Sequence, residues 1–223
     1  MEVKDYYNKI ANDYDDSRFN NTYGRYIDSQ ERALISTVLK SQKMVLNLGC
    51  GTGRFMEYCS HGSDFSEEML EIAKRKHPNK SFALADAAST PFSTNFFDVV
   101  ICFHVIMHLT PEQSKLIFDE VSRILKPDGL FIVDFPSKAR RKLTKGHHSK
   151  NWHGSNAFNL AEIKELLNNS NLKTTKQRGI LFFPIHRFPK SFRRLFYIFD
   201  QFFCSIFTKK YASYILNMSR NCK

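Results

Sequence analysis

Apolar positions follow two rhythms along this chain. Residues 44–48, 96–103 and 129–135 are apolar at nearly every position and rich in β-branched and aromatic side chains, as expected of strands covered on both faces. Between them, apolar residues recur at helical spacing. Met69, Leu70, Ile72 and Ala73 share one side of a helix that Ser66-Glu67-Glu68 opens with a capping signal. Leu116, Ile117, Val121, Ile124 and Leu125 do the same for a helix over 111–125, with Thr110 as cap and Pro111 in the first turn. A further helix is predicted over 160–167, and strands over 172–180 and 211–218. Strands alternating with helices predict an α/β domain around a parallel sheet. Tyr6, Tyr7, Ile10 and Tyr14, followed by a helix over 29–39, read as an amino-terminal cap of about 40 residues.

Candidate chemistry sits at the ends of these strands. The first apolar run leads into Asn47-Leu48-Gly49-Cys50-Gly51-Thr52-Gly53, a turn whose glycines permit positive φ and let a ligand approach the main chain. Asp64 closes the next strand, where a carboxylate can accept from both hydroxyls of a ribose. Asp86 closes the segment 81–85 and is placed to accept from an exocyclic amine, while Ala87 leaves room for a ring. A nicotinamide dinucleotide fits less well, because G-x-G-x-x-G would need a glycine where the chain has Arg54.

Taken in order, the glycine turn, Asp64, Asp86-Ala87, Phe97-Asp98-Val99-Val100 and Leu125-Lys126-Pro127-Asp128-Gly129 resemble the successive motifs of the class I S-adenosylmethionine-dependent methyltransferases, over residues 40–180. The likeness is greatest to the small-molecule branch, which includes quinone and sugar methyltransferases. It implies a Rossmann-like, seven-stranded, mostly parallel sheet with helices on both faces and an antiparallel last strand at the edge. It implies S-adenosylmethionine as cofactor and S-adenosylhomocysteine as product. The same likeness assigns Asn47, Gly49, Cys50, Gly51, Gly53, Asp64, Phe65, Met69, Asp86, Ala87 and Phe103 to the cofactor. It further implies that the amino-terminal segment folds over the cofactor, making Tyr14, Arg18 and Tyr26 candidate lid or substrate contacts. One departure is Asn47, where the family usually carries an acid. An amide accepts a hydrogen bond but offers no charge to the cofactor's ammonium, so weaker cofactor affinity is expected. Past the fourth strand, His104 and His108 are candidate bases because imidazole titrates near neutrality. The chain lacks the Asn/Asp-Pro-Pro-aromatic tetrapeptide of relatives that methylate the exocyclic amines of nucleic-acid bases.

Length and charge refine this picture. A chain of 223 residues fits one domain, with a cap at 1–40, a cofactor-binding core at 41–180, an insertion at 181–210 and a last strand and tail at 211–223. The polar start predicts no signal peptide, and no apolar run reaches the roughly 20 residues of a membrane-spanning helix. Five cysteines without a C-x-x-C pair suit a reducing cytoplasm and no zinc site. Residues 1–135 hold 15 Lys/Arg against 19 Asp/Glu, whereas residues 136–223 hold 18 against 3. This asymmetry predicts an anionic partner for the carboxy-terminal third. Within it, residues 136–158 combine the basic run 138–142 with His147, His148, Trp152 and His153, read as a substrate loop rather than a metal site. In the insertion, Phe192, Leu195, Phe196, Phe199, Phe202, Phe203, Ile206 and Phe207 follow one helical face, flanked by Arg187, Lys190, Arg193, Arg194, Lys209 and Lys210. Such a face covers the domain's own core, meets a second copy, or lies at a membrane surface through 187–210. The expected activity is methylation of a small or lipid-linked, anionic acceptor, at a hydroxyl or amine of a sugar or on a quinone-like ring, by direct in-line transfer. The alternatives are a tRNA methyltransferase of the wobble-uridine kind, and a non-catalytic subunit that binds cofactor and activates a partner.

Overall fold

The computed structural model describes residues 3–39, 44–144, 156–185 and 188–223. His147, His148, Trp152, His153 and Arg187 lie outside the described residues, as do the side chains of Lys190, Phe192, Arg194, Leu195 and Phe207. Seven strands form one sheet: β1 Val45–Leu48, β2 His61–Asp64, β3 Ser81–Leu84, β4 Phe97–Cys102, β5 Leu125–Pro136, β6 Leu172–Ile180 and β7 Tyr214–Asn221, in the order β3-β2-β1-β4-β5-β7-β6. The first five run parallel, and β7 pairs antiparallel with both β5 and β6. The last strand is therefore not the edge strand that the family resemblance implies. It inserts between β5 and β6, with all but one of its residues buried, and β6 with exposed Lys173 and Lys176 becomes the edge. A strand buried along nearly its whole length has its backbone N–H and C=O groups satisfied by two neighbours rather than one.

Side chains alternate across the sheet and divide the core in two. Val45, Val99, Ile101, Leu130, Ile132 and Leu216 point to the side covered by α3 (Thr22–Val38) and α8 (Lys190–Ser205). Leu46, Leu48, Val100, Cys102, Phe131 and Val133 point to the side covered by α5 (Pro111–Ile124) and α7 (Leu160–Asn168). Local signals set the helix starts. Thr110 and Gln113 form a reciprocal capping box on α5, and Ser66 accepts from the Met69 N–H at 3.2 Å to open α4 (Glu67–Lys76). The cap consists of α1 (Val3–Ile10), α2 (Tyr14–Phe19) and α3, one helix more than the spacing of its apolar residues suggests. Helix α3 begins at Thr22 rather than near Ser29 because the Asn21 side chain accepts from the Gly24 N–H at 2.8 Å.

Candidate active site

Strand β1 ends where the chain turns sharply beneath β2. Gly49 and Cys50 both donate their N–H groups to the Ser63 carbonyl, at 2.7 and 2.9 Å. Gly49 has φ +73°, and a Cβ there would lie 2.4 Å from the Val105 side chain, so no other residue fits. Gly51, at φ +52°, has nothing within 4 Å of where a Cβ would stand; it opens onto free space. Its N–H donates to Asp64 Oδ2 at 2.8 Å, while Asp64 Oδ1 accepts from the Ser66 N–H at 3.0 Å. Burial pushes the Asp64 carboxyl above its ordinary range, and these N–H donors pull in the opposite direction. Gly53 does not face the same space. A Cβ there would meet His77 and Ala73, so this glycine lets the turn pack against α4.

Above the turn lies a cavity of about 350 Å³. Gly49, Gly51, Asp64, Phe65, Met69 and Phe103 line it, and Asp86 and Ala87 border it further along. Asp86 Oδ1 accepts from the Ala88 N–H at 2.8 Å, which fixes its carboxylate at the rim. Asn47 and Cys50 line a smaller recess that shares Gly49, Gly51, Phe103 and His104 with the main cavity. Of the sequence-predicted cofactor residues, only Gly53 lies outside this continuous space. A buried carboxylate beside an open glycine turn, with a second carboxylate across the cavity, fits a ribose and a purine amine. Asn47, Asp64 and Asp86 would hold S-adenosylmethionine there, with main chain supplied by Gly49 and Gly51.

The cap closes this space. Asn8 Oδ1 on α1 accepts from Ser66 Oγ at 2.5 Å, and Asp15 on α2 accepts from Thr52 Oγ1 at 2.6 Å. Tyr7 and Tyr14 enter the cavity wall, and the Tyr7 hydroxyl lies 3.0 Å from His108 Nε2. Tyr26 does not reach the cavity. Its hydroxyl donates to buried Asp200 at 2.7 Å and its ring stacks on Tyr197 at 4.9 Å, so it anchors α8 to α3.

The two candidate histidines differ in setting. His108 lines the cavity beside Tyr7. His104 also borders it, at φ +60°, with its N–H donating to Asp134 Oδ1 at 2.6 Å. Its ring lies between two buried carboxylates, with Nε2 3.0 Å from Glu31 Oε1 and Nδ1 3.3 Å from Asp134 Oδ2. Arg54 pairs with Glu31 from the other side and lies 3.3 Å from Asp28. Burial alone would raise the Glu31 carboxyl, but Arg54 and His104 outweigh it and bring it down to about 2; at Asp134, burial prevails and raises the carboxyl. Glu31, His104 and Asp134 offer ligand atoms within 4.8 Å of one another, yet Arg54 already supplies positive charge to Glu31. Both ring nitrogens of His104 face carboxylates, whereas His108 has its Nε2 against the Tyr7 hydroxyl; both residues line the cavity. Sequence reasoning missed Glu31, Asp134 and the role of Tyr7. An acid inside the apolar run 130–135 was the available signal for Asp134.

Residues 46–133 match the family model described as a methyltransferase domain. An uncharacterised protein of Methanocaldococcus jannaschii is 38% identical over 134 residues, 59% of this chain and 51% of that protein. The ubiquinone/menaquinone biosynthesis C-methyltransferase of Campylobacter jejuni is 26% identical over 148 residues, 59% of this chain and 62% of its own. The match thus spans about half to three fifths of the length of these curated relatives. Among solved structures, a S-adenosylmethionine-dependent methyltransferase of Thermotoga maritima superposes with a TM-score of 0.73 at 17% identity, over 100% of both chains. The ordered motifs, the cradle they build and these likenesses agree: residues 46–133 form a methyltransferase domain of the S-adenosylmethionine-dependent kind.

Proposed function

We propose that this protein methylates a small, ring-bearing, anionic or lipid-linked acceptor, a quinol-like ring being favoured. The observation that carries this reading is the capped cavity. One end is the cofactor cradle, while Val3, Leu109, Leu116 and Ile117 make the other end apolar. Beside it, Arg18 on α2 is half-buried among Tyr7, Tyr14, Tyr23 and Tyr214, and among the described residues it forms no ion pair with a carboxylate. A guanidinium so enclosed gains from an anion brought by the acceptor. The Campylobacter relative's name as a quinone C-methyltransferase supports the ring.

When bound, the cofactor supplies a methyl group on a sulfonium that is already a good leaving group. The chain then has to orient the acceptor and exclude water. The cap contacts from Asn8 and Asp15 serve exclusion, and the phenyl rings of Phe65 and Phe103 fix the approach. His108, with Nε2–H donating to the Tyr7 hydroxyl oxygen, accepts the proton of a ring hydroxyl or amine at Nδ1. The test is transfer of radiolabelled methyl into a cell extract, counted in organic-soluble, small water-soluble, RNA and protein fractions. Label in the organic or small-molecule fraction is expected. Label in RNA would overturn the proposal in favour of tRNA, with the basic third as its docking surface. Cofactor binding with no label anywhere would point to a non-catalytic subunit.

A further inference from the structure

Helix α8 carries apolar residues on two sides, and only one of them is used. On the inner side, Phe196 stacks on Phe188 at 4.2 Å, Tyr197 stacks on Tyr26, and Phe203 stacks on Phe182 at 5.1 Å. Buried Asp200 accepts from the Tyr26 hydroxyl and from the Phe183 N–H, both at 2.7 Å, and Cys204 is buried beside it. These contacts fix the helix's rotation. They leave Ile198 at 69%, Phe199 at 49% and Phe202 at 59% exposure, neighbours on the outer side at i, i+1 and i+4. A helix apolar all round normally has both sides covered. Among the described residues, the domain's own core covers the inner side alone.

The surroundings of this face select its occupant. Lys209 and Lys210 follow α8 directly in the short 3-10 turn Phe207–Tyr211. Helix α6 (Lys138–Leu143) is fastened to that turn, with Ser137 Oγ donating to the Lys210 carbonyl and Arg140 donating to the Tyr211 carbonyl at 3.2 Å. It adds Arg141, exposed Lys142 and Leu143, the last at 65% exposure. Among the described residues Lys142, Lys209 and Lys210 form no ion pair, and of the three carboxylates of residues 136–223 Asp200 is buried, Glu162 pairs with Lys138 at 2.6 Å, and Glu165 sits with it on α7. Exposed phenylalanine and isoleucine beside uncompensated lysines match an acyl boundary beneath anionic headgroups. A second copy of the same chain would bring the same positive charge against itself.

We infer that the outer side of α8, with Ile198, Phe199 and Phe202 as the inserting residues and Lys209, Lys210 and Lys142 around them, docks the protein on an anionic lipid surface. The inference is independent of which acceptor is methylated, because it reads binding and not turnover. The docked helix is joined through Tyr26 to α3, which also carries Glu31 beside His104, so docking would hold the cap side of the cavity towards the lipid.

The test is co-sedimentation of the intact chain with vesicles of phosphatidylcholine containing phosphatidylglycerol, against phosphatidylcholine alone. The parent is expected to partition to the anionic vesicles, with binding that falls as salt rises. The double variant F199S/F202S should bind about tenfold more weakly or worse, with an unchanged melting temperature because both side chains are exposed. The variant K209Q/K210Q should bind several-fold more weakly and with a flatter salt dependence. No binding by the parent, or equal binding by F199S/F202S, would overturn the inference. A parent that forms dimers in sedimentation velocity and ignores vesicles, with the dimer lost in F199S/F202S, would overturn it too and assign the face to a second copy.

Discussion

The cofactor cradle and the charge cluster around His104 border the same space beside Phe103, yet they are built by opposite means. The cradle is local. Gly49, Gly51, Asp64 and Ser66 come from one strand-turn-strand unit, and its polar contacts are backbone N–H groups aimed at one carboxylate. The cluster is assembled from α3, the turn after β1, the segment just past β4 and the carboxyl end of β5, through the side chains of Glu31, Arg54, His104 and Asp134. A site made of backbone tolerates change at its flanks. A site made of buried opposite charges depends on every member, because removing one leaves another uncompensated.

The cluster should therefore give the largest effect on stability. Glu31→Gln leaves Arg54 and His104 without their shared carboxylate and is expected to cost about 3–5 kcal/mol in urea unfolding. The pH dependence has a defined sign. The Glu31 carboxyl is lowered from 4.5 to about 2 on folding, so its contribution is present above pH 4.5 and is lost as pH falls from 4.5 towards 2. The parent should lose stability across that window more steeply than Glu31→Gln; parallel curves would refute the assignment.

Cofactor affinity reads the cradle. Asp64→Ala removes the acceptor for two main-chain donors and for the ribose, and should weaken S-adenosylmethionine binding by about 100-fold or more in calorimetry. Retention of near-parental affinity would end the ribose assignment. His108→Gln separates binding from chemistry: cofactor affinity should stay within about twofold while transfer falls about 100-fold, and the fall should shrink at high pH if the imidazole takes a proton. The smallest expected effect is a gain. Asn47→Asp places a charge in the recess beside the cradle and should tighten cofactor binding about fivefold, as one charge-assisted hydrogen bond allows. Weaker or unchanged binding would show that the amide at 47 is not what limits affinity.

Much of the cradle was legible in the chain because strand period, glycine turn and terminal carboxylate are short-range signals. Gly53 marks the limit of that reading. Its positive φ is as real as that of its neighbours, but it serves packing against Ala73 and His77. The cap shows the same limit. Tyr14 and Tyr26 look equivalent in sequence, yet one enters the cavity wall and the other is held by Asp200, 174 residues away.

By itself the sequence determined the alternation of strands and helices, the cofactor turn with Asp64 and Asp86, and the excess of positive charge after residue 135. Each follows from a local pattern or from composition. Tertiary structure alone decided that β7 inserts between β5 and β6, that His104 is held between Glu31 and Asp134 while His108 meets Tyr7, and that Ile198, Phe199 and Phe202 of α8 are exposed among the described residues. The phenylalanines of α8 look alike along the chain. The direction each one points is set by how Asp200 and Tyr197 lock the helix against Tyr26, a contact between segments far apart in sequence.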